Sequence, residues 1–157
     1  MAITLRLAVP KDVGTLGRMG AQLAGQHHGF DAERFMLPED IEAGYRWWLG
    51  KELKQKEAVV VVAERDGEVV GYAYGRVEER DWNALRDTCG VLHDLWVDAS
   101  ARGSGTGARL AEEVVQRLKA LGVPRVVLMA AAKNEVAQRL FARLGWRATM
   151  VELTRET

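Results

Sequence analysis

The chain has 157 residues, with 22 Lys plus Arg balancing 22 Asp plus Glu and a single cysteine, Cys89. That length fits one domain, residues 1–157, which buries about 70% of its unfolded surface and needs no metal or disulfide to hold a core. Zero net charge without a basic stripe excludes ordinary duplex binding, a lone cysteine excludes an internal disulfide, and no apolar run approaches the roughly 18 residues that cross a bilayer. The charges spaced through "MAITLRLAVPKD" also interrupt any signal-peptide core, so the expectation is a soluble cytoplasmic protein without nucleic-acid or membrane partners.

Residues 3–9 alternate apolar and polar and predict a first strand. Pro10 and Asp12 suit the first turn of a helix that continues through Leu16, Met19 and Leu23 at helical spacing. From Gly25 to Leu37 the period is lost, which predicts a loop or a broken helix. A second helix is expected from near Pro38 to Gln55, with at least one of Trp47 and Trp48 in the core.

"AVVVVAERDGEVVGYAYGRV" then reads as two strands joined at Asp66-Gly67, both of which tolerate positive φ. Four consecutive valines predict a strand covered on both faces. A polar loop is expected over residues 78–88. After it come a strand over 90–97, a glycine-dense stretch, a helix over 107–121, a strand over 125–131, a helix over 134–144 and a last strand over 146–154. The fold class is therefore a single mixed α/β domain, in the order β-α-α-β-β-β-α-β-α-β.

The glycine stretch, "WVDASARGSGTGARL", asks what the backbone must approach so closely. Gly103, Gly105 and Ala108 overlap the dinucleotide pattern G-x-G-x-x-A, but Asp98 to Arg102 intervene after the strand and "RVVLMAAAK" supplies no acid for a ribose. A P-loop needs a lysine that is absent here. The remaining reading is R-x-x-G-x-G from Arg102 to Gly107, between an apolar strand and an amphipathic helix. Successive N–H groups there can line an anion site, the helix N-terminus adds positive potential, and Arg102 adds a full charge.

These residues, together with "NEVAQRLFARLGW" and its Asn134, Ala137, Leu140, Gly145 and Trp146, resemble the two coenzyme-binding motifs of the GCN5-related N-acetyltransferase (GNAT) family. The resemblance extends to element order over nearly the whole chain. It implies a GNAT-like fold with acetyl-CoA between two parallel strands that splay apart, residues 90–97 and 125–131. It implies an oxyanion-binding N–H at Leu95, backbone pairing of Trp96 and Val97 with the pantetheine arm, and a pyrophosphate held by Arg102, Gly103, Ser104, Gly105, Thr106, Gly107 and Ala108. Asn134 would bond the arm as it leaves, and Phe141 would lie beside the coenzyme sulfur. The implied activity is transfer of an acetyl group to a primary amine of a small molecule or peptide. No metal is called for, and a homodimer through the last strands or helices is a further implication.

His93 is the candidate base, because histidine ordinarily titrates at about 6.5 and this one lies on the strand of the proposed oxyanion donor. The alternative is a histidine satisfied by hydrogen bonds on a partly buried strand. Asp94 either orients it or faces the opposite side. Phe141 departs from the family pattern, which usually has a tyrosine there to protonate the departing sulfur. Tyr72 or Tyr74 are the substitutes considered, and a non-catalytic acyl-CoA-binding module is the competing function. The acceptor's walls are expected from residues 25–37, the second helix with its tryptophans, and residues 77–87, where Glu78, Glu79, Asp81 and Asp87 either attract a cationic amine or form a solvated loop. His27 and His28 lack partners at metal-ligand spacing, and Cys89 reads as a small buried residue rather than a nucleophile.

Overall fold

The computed structural model describes residues 2–157. Its elements are β1 (Thr4–Leu7), a 3₁₀ turn (Pro10–Asp12), α1 (Val13–Phe30), α2 (Ile41–Glu52), β2 (Ala58–Arg65), β3 (Glu68–Glu78), β4 (Cys89–Val97), α3 (Thr106–Ala120), β5 (Val126–Leu128) and α4 (Glu135–Arg143). The five strands form one sheet in sequence order, with β4 and β5 parallel and the other pairs antiparallel.

The valine run is covered on both faces, as its composition requires. Val59 and Val61 pack with Leu110, Val114 and Leu118 of α3, while Val60 and Val62 pack with Leu16 and Met19 of α1 and Leu49 of α2. Alternate side chains of one strand thus feed two cores, which fixes the sheet between two helical layers. At the β2–β3 turn Asp66 and Gly67 take φ of 52° and 80°, the positive values a tight hairpin needs. Arg6 bridges Asp12 and Glu64, and Asp12 also accepts the Val9 N–H, so the entry to α1 is pinned to the sheet.

Four expectations change. The loop expected from Gly25 begins only after Phe30, because the α1 ladder runs on past Gly25 and Gly29; each glycine costs a helix about 1 kcal/mol, less than the continuing ladder and packing return. The second helix begins at Ile41, three residues beyond Pro38. Trp47 and Trp48 are both exposed, at 67% and 37%, so neither is core. Their rings sit under the Lys51 ammonium, at 5.5 and 5.1 Å. The last strand, residues 146–154, is not formed. Alternation supplies a strand's side-chain pattern but not a partner, and β5 bonds no strand on its outer side. Met150, Val151 and Leu153 are left exposed.

Cys89 is buried and free. No helix among the described residues is long and apolar enough to cross a membrane.

Candidate active site

Parallel pairing of β4 with β5 covers only Gly90–Val126, Val91–Val127 and Leu92–Leu128. Beyond Leu128 the second strand expected over 125–131 departs, while β4 continues to Val97. The sheet therefore forks. On its other side β4 stays paired with β3 through Tyr74–Asp94, Ala73–Leu95, Tyr72–Trp96 and Gly71–Val97.

Which backbone groups face the fork follows from the ladder. Asp98 N–H donates to Val70 C=O at 2.8 Å. Antiparallel residues alternate between bonding the partner and facing away, so Asp98, Trp96 and Asp94 turn their backbones to β3, and Val97 and Leu95 turn theirs to the fork. Leu95 and Val97 thus present their backbone groups to the fork. Trp96 does not: its backbone faces Tyr72, and its side chain donates from Nε1 to Asp98 at 3.0 Å beneath the Arg102 guanidinium. The expected pairing of the Trp96 backbone with a ligand is corrected on this ground.

Past β4 the chain makes a short 3₁₀ turn and enters the glycine stretch. Gly103 and Gly105 both hold φ of +80°, which only glycine adopts without strain, and a Cβ at either would meet no atom within 4 Å. What the glycines approach is not another part of the protein. Among the described residues, none of the backbone N–H groups from Gly103 to Ala108 donates to a carbonyl or a side chain, whereas Arg109 N–H already bonds Gly105 C=O. Helix α3 has no side-chain cap and no acidic residue in its first turn. Its positive end and a row of unpartnered donors are left together, which is the arrangement that holds phosphate. Ser104 Oγ bonds Ala101 C=O and the buried Thr106 hydroxyl at 2.7 Å each, fixing the loop from within. Arg102 bonds Val97 C=O through Nε at 2.7 Å, which brings its charge to the mouth of the fork.

A cleft of about 90 Å³ occupies the fork, lined by Leu23, Gln26 and His27 of α1, by His93, Asp94 and Leu95 of β4, by Met129 and Ala130, and by Asn134 and Phe141. Of the expected site residues it brings together His93, Leu95, Asn134 and Phe141, and the others lie outside it. Asn134 accepts from Ala137 N–H at 3.1 Å, so its oxygen caps α4 while its amide nitrogen is free to donate to a ligand. Phe141 packs edge-on against Trp146, with centroids 5.6 Å apart.

His93 owes its exposure to a bulge. Tyr74 pairs with Asp94 and Gly75 with Leu92, so His93 is the extra residue with no partner. Its Nε2 lies 2.9 Å from Glu78 Oε1, and its ring stacks on Tyr74 at 5.4 Å. A carboxylate only accepts, so Nε2 carries the hydrogen, and in the neutral ring Nδ1 keeps the lone pair. Glu78 is held in turn by Arg76 at 3.7 Å. Glu78 as the histidine's partner was not legible in the sequence, because only the bulge brings residues 78 and 93 together.

Asp94 makes no hydrogen bond to His93, although the bulge leaves both on the face of Tyr72 and Tyr74. Its Oδ2 accepts the Tyr72 hydroxyl at 2.8 Å. Burial pushes the Asp94 carboxyl above the ordinary carboxylate range, against the opposing Tyr72 hydrogen bond. Burial, then Asp94, raise the Tyr72 phenol well above its ordinary value. Tyr74 is raised by burial and by its 2.7 Å bond to Glu52. With both hydroxyls committed to carboxylates and neither lining the cleft, Tyr72 and Tyr74 are withdrawn as proton donors to a departing thiolate.

The remaining expected walls lie elsewhere. Asp81 caps its own turn through Asn83 and Ala84 N–H, and Asp87 pairs with Arg80, so these acids organise the loop. Trp47 lines a separate groove of about 530 Å³ with Arg46, Lys51 and Lys54. Among the described residues no three His, Cys, Asp or Glu side chains gather as a metal site.

Comparison with known proteins bears on this geometry. The L-methionine sulfoximine/L-methionine sulfone acetyltransferase of Pseudomonas aeruginosa is 30% identical over 111 residues, which are 69% of this chain and 61% of that protein; the chain thus spans under two thirds of that relative's length. A GCN5-related N-acetyltransferase from Ralstonia eutropha superposes with a TM-score of 0.77 at 24% identity, covering 99% of each chain. The aminoglycoside N-acetyltransferase AAC(6')-Iy, solved with a bisubstrate analogue of CoA, superposes with a TM-score of 0.79 at 16% identity, covering 100% of this chain and 99% of that one. At such identities these structures establish a common fold. The model of the acetyltransferase (GNAT) family matches residues 25–146, and the chain belongs to that family.

Proposed function

We propose that the protein is an N-acetyltransferase that moves an acetyl group from acetyl-CoA to the primary amine of a small molecule or peptide, small molecules being favoured because its relatives include a methionine sulfoximine/methionine sulfone acetyltransferase and mycothiol acetyltransferases. The single observation that carries the reading is the row of unpartnered N–H groups from Gly103 to Ala108 at the mouth of a forked sheet. These donors, with Arg102, suit the coenzyme pyrophosphate. The Val97 and Leu95 backbones continue the same line inward, suiting the pantetheine arm and the thioester oxygen.

In this scheme Leu95 N–H receives the negative charge that gathers on the carbonyl oxygen as the amine attacks. One such preorganised donor is worth about 2.7–4 kcal/mol in other enzymes. His93 Nδ1 takes the amine proton, with Glu78 holding the ring and balancing its charge. The carbon–sulfur bond breaks, and solvent supplies the proton to the thiolate, since Phe141 has none to give. The second reading, a non-catalytic acyl-CoA-binding module, is favoured by Phe141 alone.

Two further parts of the proposal concern its setting. The open outer edge of β5 and the exposed Met150, Val151 and Leu153 support a homodimer, which sedimentation tests. The free thiol of Cys89 supports a reducing, cytoplasmic location.

The decisive experiment is an amine panel incubated with acetyl-CoA, followed by thiol release and mass spectrometry. Turnover establishes the enzyme. Tight acetyl-CoA binding without turnover establishes the module. Thermal stabilisation by acetyl-CoA but not by NAD or ATP, about 2.7 kcal/mol at a hundredfold excess over Kd, confirms what the glycines hold.

A further inference from the structure

The cleft contains one carboxylate, Asp94, whose charge is answered by no Lys or Arg, only by the nearby His93 and His27. Asp94 Oδ2 is held by the neutral Tyr72 hydroxyl, the one hydrogen bond its side chain makes among the described residues, and Oδ1 is not sealed from solvent. No Lys or Arg lines the cleft. Of the two histidines that do, His27 is bonded through Nδ1 to Leu23 C=O at 2.9 Å and His93 through Nε2 to Glu78 at 2.9 Å. The other titratable group close to Asp94 is Tyr45, whose phenol burial and Asp94 together push up to about 12. A neutral phenol brings no positive charge. Asp94 is therefore a half-buried carboxylate with hydrogen-bonding capacity to spare and no Lys or Arg beside it, next to Leu95.

We propose that Asp94 receives the acceptor's ammonium, and that the cleft selects primary amines bearing no carboxylate on the reacting carbon. This rests on the acetyl-transfer reading and deepens it. An ammonium on Oδ1 supplies a positive charge and keeps two further hydrogens; one passes to His93 before the nitrogen attacks the thioester carbon, and the nitrogen loses a second to solvent as the carbon–sulfur bond breaks and the thiolate is protonated. An α-amino acid brings its own carboxylate to within one carbon of that nitrogen. There it faces Asp94 with no Lys or Arg to offset the repulsion, so the same feature that attracts a simple amine rejects an amino acid.

Matched acceptors differing only in the carboxylate provide the test: 2-phenylethylamine against L-phenylalanine, and 3-(methylthio)propylamine against L-methionine. Initial rates are measured with acetyl-CoA saturating, and acetyl-CoA affinity is measured separately by calorimetry. The expected result is a kcat/KM at least about tenfold higher for each simple amine, the size that one hydrogen bond to a charged group carries. In Asp94→Asn, KM for the simple amine rises at least about tenfold, acetyl-CoA affinity stays unchanged and the preference between matched acceptors collapses. Equal or better turnover of the amino acids overturns the selection, and an unchanged KM in Asp94→Asn overturns the role of Asp94, in both cases leaving acetyl transfer standing. Failure of every amine to react while acetyl-CoA binds overturns acetyl transfer and this inference with it. The wild-type comparison holds whether or not the variant folds.

Discussion

Glu78, the last residue of β3, reaches the unpaired His93 of β4 at 2.9 Å, and the contact exists because the β4 bulge turns His93 off the regular ladder. The pair behaves as a base and its positioning residue. Replacing Glu78 with alanine leaves the imidazole free to rotate and to exchange tautomers. The expected outcome is a fall in kcat of about ten- to a hundredfold, within the range a general base contributes, with acetyl-CoA affinity unchanged. Glu78→Gln, which still accepts from Nε2, restores part of the rate and changes the pH–rate profile. Equal kcat in all three proteins removes the dyad from the mechanism.

The bulge also marks where sequence reading stops. Residue pattern reports which way a side chain points along an ideal strand, and it served well where strands are ideal: Val59 to Val62 divide between two cores as alternation requires. Backbone demands that only glycine meets were legible in part: of the R-x-x-G-x-G glycines Gly105 takes positive φ and Gly107 does not, while Gly103, at an x position, does. Pattern carries no information on whether a partner edge exists. Residues 146–154 alternate like a strand and form none, while the short pairing of β5 opens the fork on which the site depends. The pairing of Glu78 with His93 and of Tyr72 with Asp94 is set by cross-strand register, which no local spacing encodes.

Gly105→Ala separates the fold's need for glycine from the ligand's. With φ of +80° and no atom within 4 Å of the added Cβ, the change costs the fold backbone strain alone, about 1–2 kcal/mol. Gly67→Ala, with the same φ and equally open space, is the matched control on the distant hairpin. Both variants are expected to lose similar stability by denaturant titration. Only Gly105→Ala raises the acetyl-CoA Kd. Equal affinity in the two variants means that the cradle is placed wrongly.

The half-buried carboxyl of Asp94 makes a prediction about stability with a definite sign. Its folded pKa lies above the unfolded one, so between those values the native state binds more protons and stability declines as pH rises. Above both, the ionised Asp94 is a constant burden on the fold. Asp94→Asn keeps an acceptor for the Tyr72 hydroxyl and removes that burden. Its melting temperature at neutral pH is expected to match or exceed wild type even though its amine KM rises. Below about pH 4, where an aspartyl group is protonated in the unfolded chain too, the advantage disappears. A variant markedly less stable at neutral pH contradicts the sign.

Asp12 shows the opposite linkage. The Arg6 hydrogen bonds, and then the Val9 N–H, hold its carboxyl below the ordinary range despite burial. Its contribution is complete above the unfolded aspartate value of about 3.9 and is lost as pH falls through the lowered folded value. Asp12→Ala breaks a nearly buried pair at the start of α1 and is expected to cost about 3 kcal/mol near neutrality. That difference from wild type shrinks in acid, below about pH 4. A difference that stays constant down to pH 2 assigns the loss to packing instead.

Phe141 decides between enzyme and module. It lines the cleft, packs edge-on against Trp146 and is only 8% exposed, so a para-hydroxyl has room only on the cleft side. Phe141→Tyr adds a proton donor where the wild type leaves the thiolate to water. If the protein is an enzyme whose cleavage step is already adequate, as expected of a thiolate leaving group, the variant changes kcat by less than about tenfold, a small part of what a positioned acid contributes elsewhere. Its effect should be greatest with weakly basic amines, for which expulsion of the amine competes with expulsion of the thiolate. Activity that appears only in Phe141→Tyr, against none in the wild type, means that this chain binds acyl-CoA without turning it over. Stopped-flow thiol release with a graded series of amine basicities distinguishes the two, because only the chemical step responds to the series.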